Sequence, residues 1–149
     1  MTERWPDGSW AVAGVDFGST SSVIVILEVT PEGRTRVVEV DERAGETLAE
    51  TVDRMAVTLR QVWRVRRAAA DATGFGAAPA EYLSRRLRRG VLEPVTMTAE
   101  RKARLMHKVA SALESCRLVL PESGASIAPS AVMALALGLH AAHTEATDA

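Results

Sequence analysis

Residues 22–29, Ser-Val-Ile-Val-Ile-Leu-Glu-Val, form a nearly unbroken β-branched run. A strand with one wet face alternates apolar and polar residues, so a continuous run predicts a strand covered on both faces. A chain built around it must supply packing layers on both sides of a sheet. The flanking residues extend the pattern. Ala11 to Asp16 is a short apolar run that ends in an acid and is followed by Gly18-Ser19-Thr20. Pro31-Glu32-Gly33-Arg34 is a turn, and Thr35 to Val40 is the returning strand. The opening is therefore a β-meander whose first strand delivers Asp16 to its C-terminal end.

From Thr47 the period changes. Leu48, Val52, Met55 and Leu59 recur at four, three and four residues, one face of a helix. Val65 to Ala70 predicts a short strand, again ending in an acid and glycines: Asp71-Ala72-Thr73-Gly74-Phe75-Gly76. A helix over Pro79–Arg88 follows, then a strand over Leu92–Thr96. Thr98 suits the cap of a helix from Ala99 to about Glu114, striped by Leu105, Val109 and Leu113. Arg117 to Leu120 is a short strand stopped by Pro121. Pro129 suits the first turn of a last helix, from Ser130 to about His143, apolar on most faces and so buried. The order β-β-β-α-β-α-β-α-(β)-α predicts an α/β domain with a mixed sheet: a three-stranded antiparallel meander, then parallel strands, flanked by helices. Residues 1–10 are expected to be an N-terminal extension, 11–143 the domain, and 144–149 a frayed tail.

Bulk properties narrow the classes. The chain has 149 residues, enough for one domain with a real core, and 47% hydrophobic with 25% charged residues is a globular balance. A formal net charge of −1 gives no global attraction to a polyanion, so nucleic-acid binding would need a local patch. The single cysteine, Cys116, excludes an internal disulfide and a cysteine-based zinc cluster, and fits a reducing cytoplasm. The apolar stretch Ile127–Leu139 is too short to span a bilayer.

Asp16 and Asp71 carry the chemistry. Each ends an apolar strand just before a glycine turn, and open α/β sheets bind ligands outside such strand ends. On neighbouring strands the two carboxylates would meet and repel unless a proton or cation lay between them. Mg²⁺ or Mn²⁺, hard and oxygen-seeking, is the natural partner. The plainer alternative is that both aspartates simply start turns.

A wider set of residues resembles a known family. Ala70-Asp71-Ala72-Thr73-Gly74-Phe75-Gly76, then Val91-Leu92-Glu93-Pro94-Val95, Thr98-Ala99-Glu100-Arg101-Lys102 and Arg117-Leu118-Val119-Leu120-Pro121 look like the nuclease domain of a phage terminase large subunit. Gly14-Val15-Asp16-Phe17-Gly18 is similar to that family's first acidic strand. The resemblance covers about residues 11 to 142. It implies an RNase H-like fold, a divalent metal (Mg or Mn) held by acids including Asp16 and Asp71, double-stranded DNA as substrate, other phage packaging components as partners, and the host cytoplasm as location. The chain departs from the family at the last helix, which there begins with a pair of aspartates. Here Pro129, Ser130 and Ala131 precede Val132-Met133-Ala134-Leu135-Ala136-Leu137, and no Asp or Glu occurs between Glu122 and Glu145. Glu122 could substitute if its loop folds back. The phosphate-loop motif of the ATPase half does not occur in this sequence. Loss of a ligand implies a diverged domain with weak or no cleavage.

Two other functions compete. Asp16-Phe17-Gly18-Ser19-Thr20-Ser21-Ser22-Val23 resembles the first phosphate loop of actin-like and heat-shock ATPases, so an ATP-binding fragment is one. A non-catalytic module binding DNA or protein is the other, supported by Arg64, Arg66, Arg67 and by Arg85, Arg86, Arg88 and Arg89, with Lys102 a further phosphate contact. Against this, Arg85–Arg89 would favour a helix C-terminus as a solvated face. His140 and His143 share a helix face without a third ligand and are expected on an exposed helix end. Cys116 is expected to be a small buried hydrophobe, and Trp5, Trp10 and Trp63 to serve packing.

Overall fold

The fold is described by a computed structural model for residues 5, 7–121 and 127–148, with side chains to residue 144. The elements follow the expected order: β1 (Trp10–Phe17), β2 (Ser21–Val29), β3 (Thr35–Ala44), α1 (Leu48–Val57), β4 (Arg67–Asp71), α2 (Ala77–Arg85), β5 (Leu92–Val95), α3 (Ala99–Glu114), β6 (Leu118–Val119) and α4 (Pro129–Asp148). The six strands form one sheet in the order β5-β4-β1-β2-β3-β6. β1, β2 and β3 are the antiparallel meander, β4 runs parallel to β1, β5 parallel to β4, and β6 parallel to β3.

Helices cover both faces, which is why β2 is unbroken apolar from Val23 to Leu27. Val23, Val25, Leu27 and Val29 face a core shared with α3 and α4, through Leu105, Val109, Leu135 and Leu139. Ile24 and Ile26 face the other core, built on α1 and α2 through Val52, Met55, Ala80 and Leu83. β4 puts alanines into both cores, Ala69 on one side and Ala68 and Ala70 on the other. α4 crosses β1 so closely that a Cβ on Gly14 would lie 1.8 Å from the carbonyl oxygen of Ala134.

Local signals set the helix starts. Thr47 and Glu50 form a capping box at α1, and the Thr98 side chain accepts from the Arg101 N–H at α3. Several boundaries differ from expectation: β3 runs past Val40 to Ala44, and α4 runs past His143 to Asp148, through most of the stretch expected to be a frayed tail. The α1 periodicity continues through Leu59, but residues Thr58–Val62 form a π-turn that still buries Leu59. β4, Arg67–Asp71, starts two residues later and ends one residue later than expected, after a turn at Arg64, whose φ is 51°. α2 starts at Ala77 and stops at Arg85, so Arg88 and Arg89 lie in the turn to Gly90. No helix among the described residues is long and apolar enough to cross a membrane.

Candidate functional site

β1 and β4 are in parallel register with Val15 beside Ala70, and one residue further Asp16 stands beside Asp71. Both carboxylates are therefore at the C-terminal edge of adjacent central strands, and both are half-buried. They share the α3–α4 face, as do Ala69 and Val12 two and four residues earlier. Burial, and then the neighbouring charge of Asp71, push the Asp16 carboxyl above its ordinary value, while Lys102 pulls it down. Lys102 reaches the site because α3 begins at this end of the sheet.

The loop after β4 is built to fix Asp71. Its Oδ1 accepts from the Thr73 N–H at 2.8 Å, closing an Asx-type turn. The Thr73 hydroxyl oxygen in turn accepts from the Met97 N–H at 2.6 Å, which ties this loop to the one after β5. The chain doubles back so tightly that a Cβ on Gly76 would sit 2.3 Å from the Asp71 carbonyl oxygen. On the other strand, the Gly18 N–H donates to the Ser21 carbonyl at 2.9 Å, so the β1–β2 turn satisfies that donor internally.

A third acid on the same row has no precedent in the sequence patterns. Asp16 is paired with Val23, and Val23 with Glu42, so Glu42 lies on the same face two strands, or about 10 Å, from Asp16. Its carboxylate accepts from Ser21 Oγ at 2.8 Å and from Ser130 Oγ at 2.9 Å, pinning the first turn of α4 to the sheet. Only the cross-strand register reveals it. Among the described residues no three His, Cys, Asp or Glu side chains converge as a metal cluster, and Glu122 lies outside the described residues.

Mg²⁺ and Mn²⁺ take oxygen ligands. Two adjacent carboxylates, one already held against its charge, match a single hard cation completed by water. They do not by themselves furnish ligands for two.

The arginine clusters are elsewhere. α2 starts beside the site and runs away from it, so Arg85–Arg89 sit at the opposite edge, where the Arg88 carbonyl accepts from Val91 next to the start of β5. Arg85 pairs with Glu81 at 2.6 Å and Arg86 with Asp53. Of the proposed nucleic-acid contacts, only Lys102 is gathered to the carboxylates. Arg66 lies over the Trp10 ring at 4.4 Å, and Trp5 stacks on Trp63 at 6.1 Å, so the aromatics do pair. His140 and His143 are half-buried rather than on an exposed helix end, and His140 Nε2 lies 3.1 Å from Glu93. Cys116 is exposed at φ 60°, in the turn that joins α3 to β6, rather than buried.

Sheet order and flanking helices define an RNase H-like α/β domain. Solved structures share the arrangement. The large terminase nuclease from thermophilic phage G20c superposes with a TM-score of 0.72 at 19% identity, covering 89% of this chain and 82% of that one. RuvC of T. thermophilus in complex with a Holliday junction substrate gives 0.59 at 18% identity, covering 91% and 96%. The human cytomegalovirus terminase nuclease domain gives 0.56 at 10% identity, covering 95% and 86%. At these identities the likeness establishes the fold. No protein-family model and no curated protein matches the chain.

Proposed function

We propose that this chain is a diverged terminase-type DNA nuclease domain that keeps a one-metal carboxylate pair and cleaves weakly or not at all. The observation that carries the proposal is the placement of Asp16 and Asp71 side by side at the C-terminal edge of β1 and β4. Double-stranded DNA is the substrate class, and packaging proteins of a phage are the partners that the terminase likeness suggests. Asp16 and Asp71 would hold Mg²⁺ or Mn²⁺, which supplies Lewis-acid polarisation of a phosphodiester oxygen and activation of water. Thr73 fixes the rotamer of Asp71 through its N–H. Lys102 places a cation beside the site for a phosphate oxygen. Phe75, 58% exposed on the 3₁₀ turn after Asp71, offers an aromatic face to a base.

The activity test is nicking of supercoiled plasmid with Mn²⁺. The expected result is at most slow nicking, abolished by Asp71→Asn. Rapid, complete cleavage lost in Asp71→Asn would overturn the diverged state and restore a full nuclease. A second function, a non-catalytic DNA- or protein-binding module, is favoured by the sequence of α4, which starts with Pro129-Ser130-Ala131 where the terminase pattern has a pair of aspartates.

A further inference from the structure

α3 carries charge of one sign along its exposed side. Its residues, Ala99–Glu114, include Arg101, Lys102, Arg104 and Lys108, and both lysines of the chain are among them. The acids Glu100 and Glu114 stand at the two ends, so the middle of the helix is basic in a chain whose net charge is −1. Leu105 and Val109 turn inward, where the helix packs on α4 and β6. Lys102, Arg104 and Lys108 are exposed. Arg101, Arg104 and Lys108 follow one another at three and four residues and so share a flank. Among the described residues none of these four cations forms a salt bridge, and Arg101 donates one guanidinium N–H to the Thr96 carbonyl at 3.2 Å.

One end of this helix is tied to the carboxylate edge. Met97, just before the Thr98 cap, donates to the Thr73 hydroxyl, and the Thr73 N–H donates to Asp71. Lys102 is near enough to Asp16 to act on its charge. The other end leads into β6, whose Leu118 is level with Thr35, Val29 and Trp10 at the start of β1. α3 therefore runs the length of the sheet, about 24 Å at a rise of about 1.5 Å per residue. Phosphates succeed one another at about 3.4 Å of axis along a DNA strand, so a helix of this length can face several. α3 has no aromatic residue, hence no platform on which the bases of a single strand could stack. Arginine and lysine heads on long stems suit phosphate oxygens and read no sequence. The rival surface is the arginine cluster at 85–89, where Arg85 and Arg86 are already paired to Glu81 and Asp53.

We propose that the exposed flank of α3 is the track on which the backbone of a DNA duplex lies, with phosphates held at Arg101, Arg104 and Lys108 and with Lys102 next to the carboxylate pair. On the reading of this chain as a DNA-acting domain, on which this rests, α3 is the side that carries the duplex, with no need of metal or cleavage. Binding there is independent of base sequence and falls with added salt.

Binding is measured apart from cutting. The full chain is titrated into a short fluorescent DNA duplex in EDTA across a series of salt concentrations, with anisotropy as the readout. Arg104→Gln and Lys108→Gln should each reduce the slope of log affinity against log salt by about 0.9, and the double variant by about 1.8. Arg88→Gln combined with Arg89→Gln should leave that slope as in the parent. Because both lysines of the chain are on α3, acetylation footprinting reads the surface directly, and bound duplex should protect Lys102 and Lys108. A slope unchanged in the α3 double variant, an equal loss in the Arg88 and Arg89 variant, lysines left unprotected, or no binding at low salt would overturn the proposal. Poly-glutamate that competes as well as duplex at equal charge would overturn DNA as the occupant. Duplex bound through α3 by a chain that takes no Mn²⁺ at Asp16 and Asp71 would support this surface and sink the metal pair; Mn²⁺-dependent nicking by α3 variants that bind as the parent does would have the reverse meaning.

Discussion

Gly14 of β1 and Gly138 of α4 meet backbone to backbone: a Cβ on Gly138 would lie 3.2 Å from the Gly14 nitrogen, and a Cβ on Gly14 2.4 Å from the Gly138 nitrogen. The absence of both side chains lets the helix lie directly on the central strand. That contact sets how far α4 reaches toward the carboxylate edge, where Ser130 finds Glu42.

The two glycines are not equivalent. A Cβ on Gly14 meets backbone, the Ala134 carbonyl at 1.8 Å, whereas one on Gly138 first meets the tip of Leu27 at 2.3 Å. Gly14→Ala should cost about 3 kcal/mol or more and Gly138→Ala about 1–2 kcal/mol, since a side-chain tip can move and backbone cannot. Urea unfolding of the two variants checks the order; equal costs would show that α4 floats over the strand.

Asp16→Asn should stabilise the protein at neutral pH. The folded Asp16 carboxyl titrates above its ordinary value of 3.8. The folded state therefore holds a proton that the unfolded chain has already released, and stability falls as pH rises from about 4 through the raised folded value. The deficit persists at pH 7, and removing the charge should raise the stability there. Thermal melts at pH 7 test this. Mn²⁺ should raise the melting temperature of the parent and not of Asp16→Asn.

Ser130 and Glu42 should be energetically coupled. Their hydrogen bond is exposed, so a double-mutant cycle with Ser130→Ala and Glu42→Ala should return about 0.5–1 kcal/mol. No coupling would leave the first turn of α4 untethered to β3.

Much of this architecture is legible along the chain because it is written in local patterns. The continuous apolar run of β2, the stripe Leu105–Val109 and the threonine caps at positions 47 and 98 each announce an element without reference to distant residues. Asp16 and Asp71 are legible for the same reason, as acids that end strands. The rest depends on register and approach. Glu42 becomes a neighbour of the site only when β3 pairs with β2 and α4 crosses the sheet. Cys116 reads as a small apolar residue, yet it occupies a left-handed turn that faces solvent. The arginines of 85–89 read as one patch, but α2 carries them away from the carboxylates and Glu81 and Asp53 pair with two of them.

The central claim is that Asp16 and Asp71 hold one divalent cation between them. Crystals soaked in Mn²⁺ and measured at an anomalous wavelength test it most directly. The account predicts a single anomalous peak coordinated by both carboxylates, absent from crystals of Asp71→Asn. No peak at saturating Mn²⁺, or a peak that persists unchanged in Asp71→Asn, would contradict it.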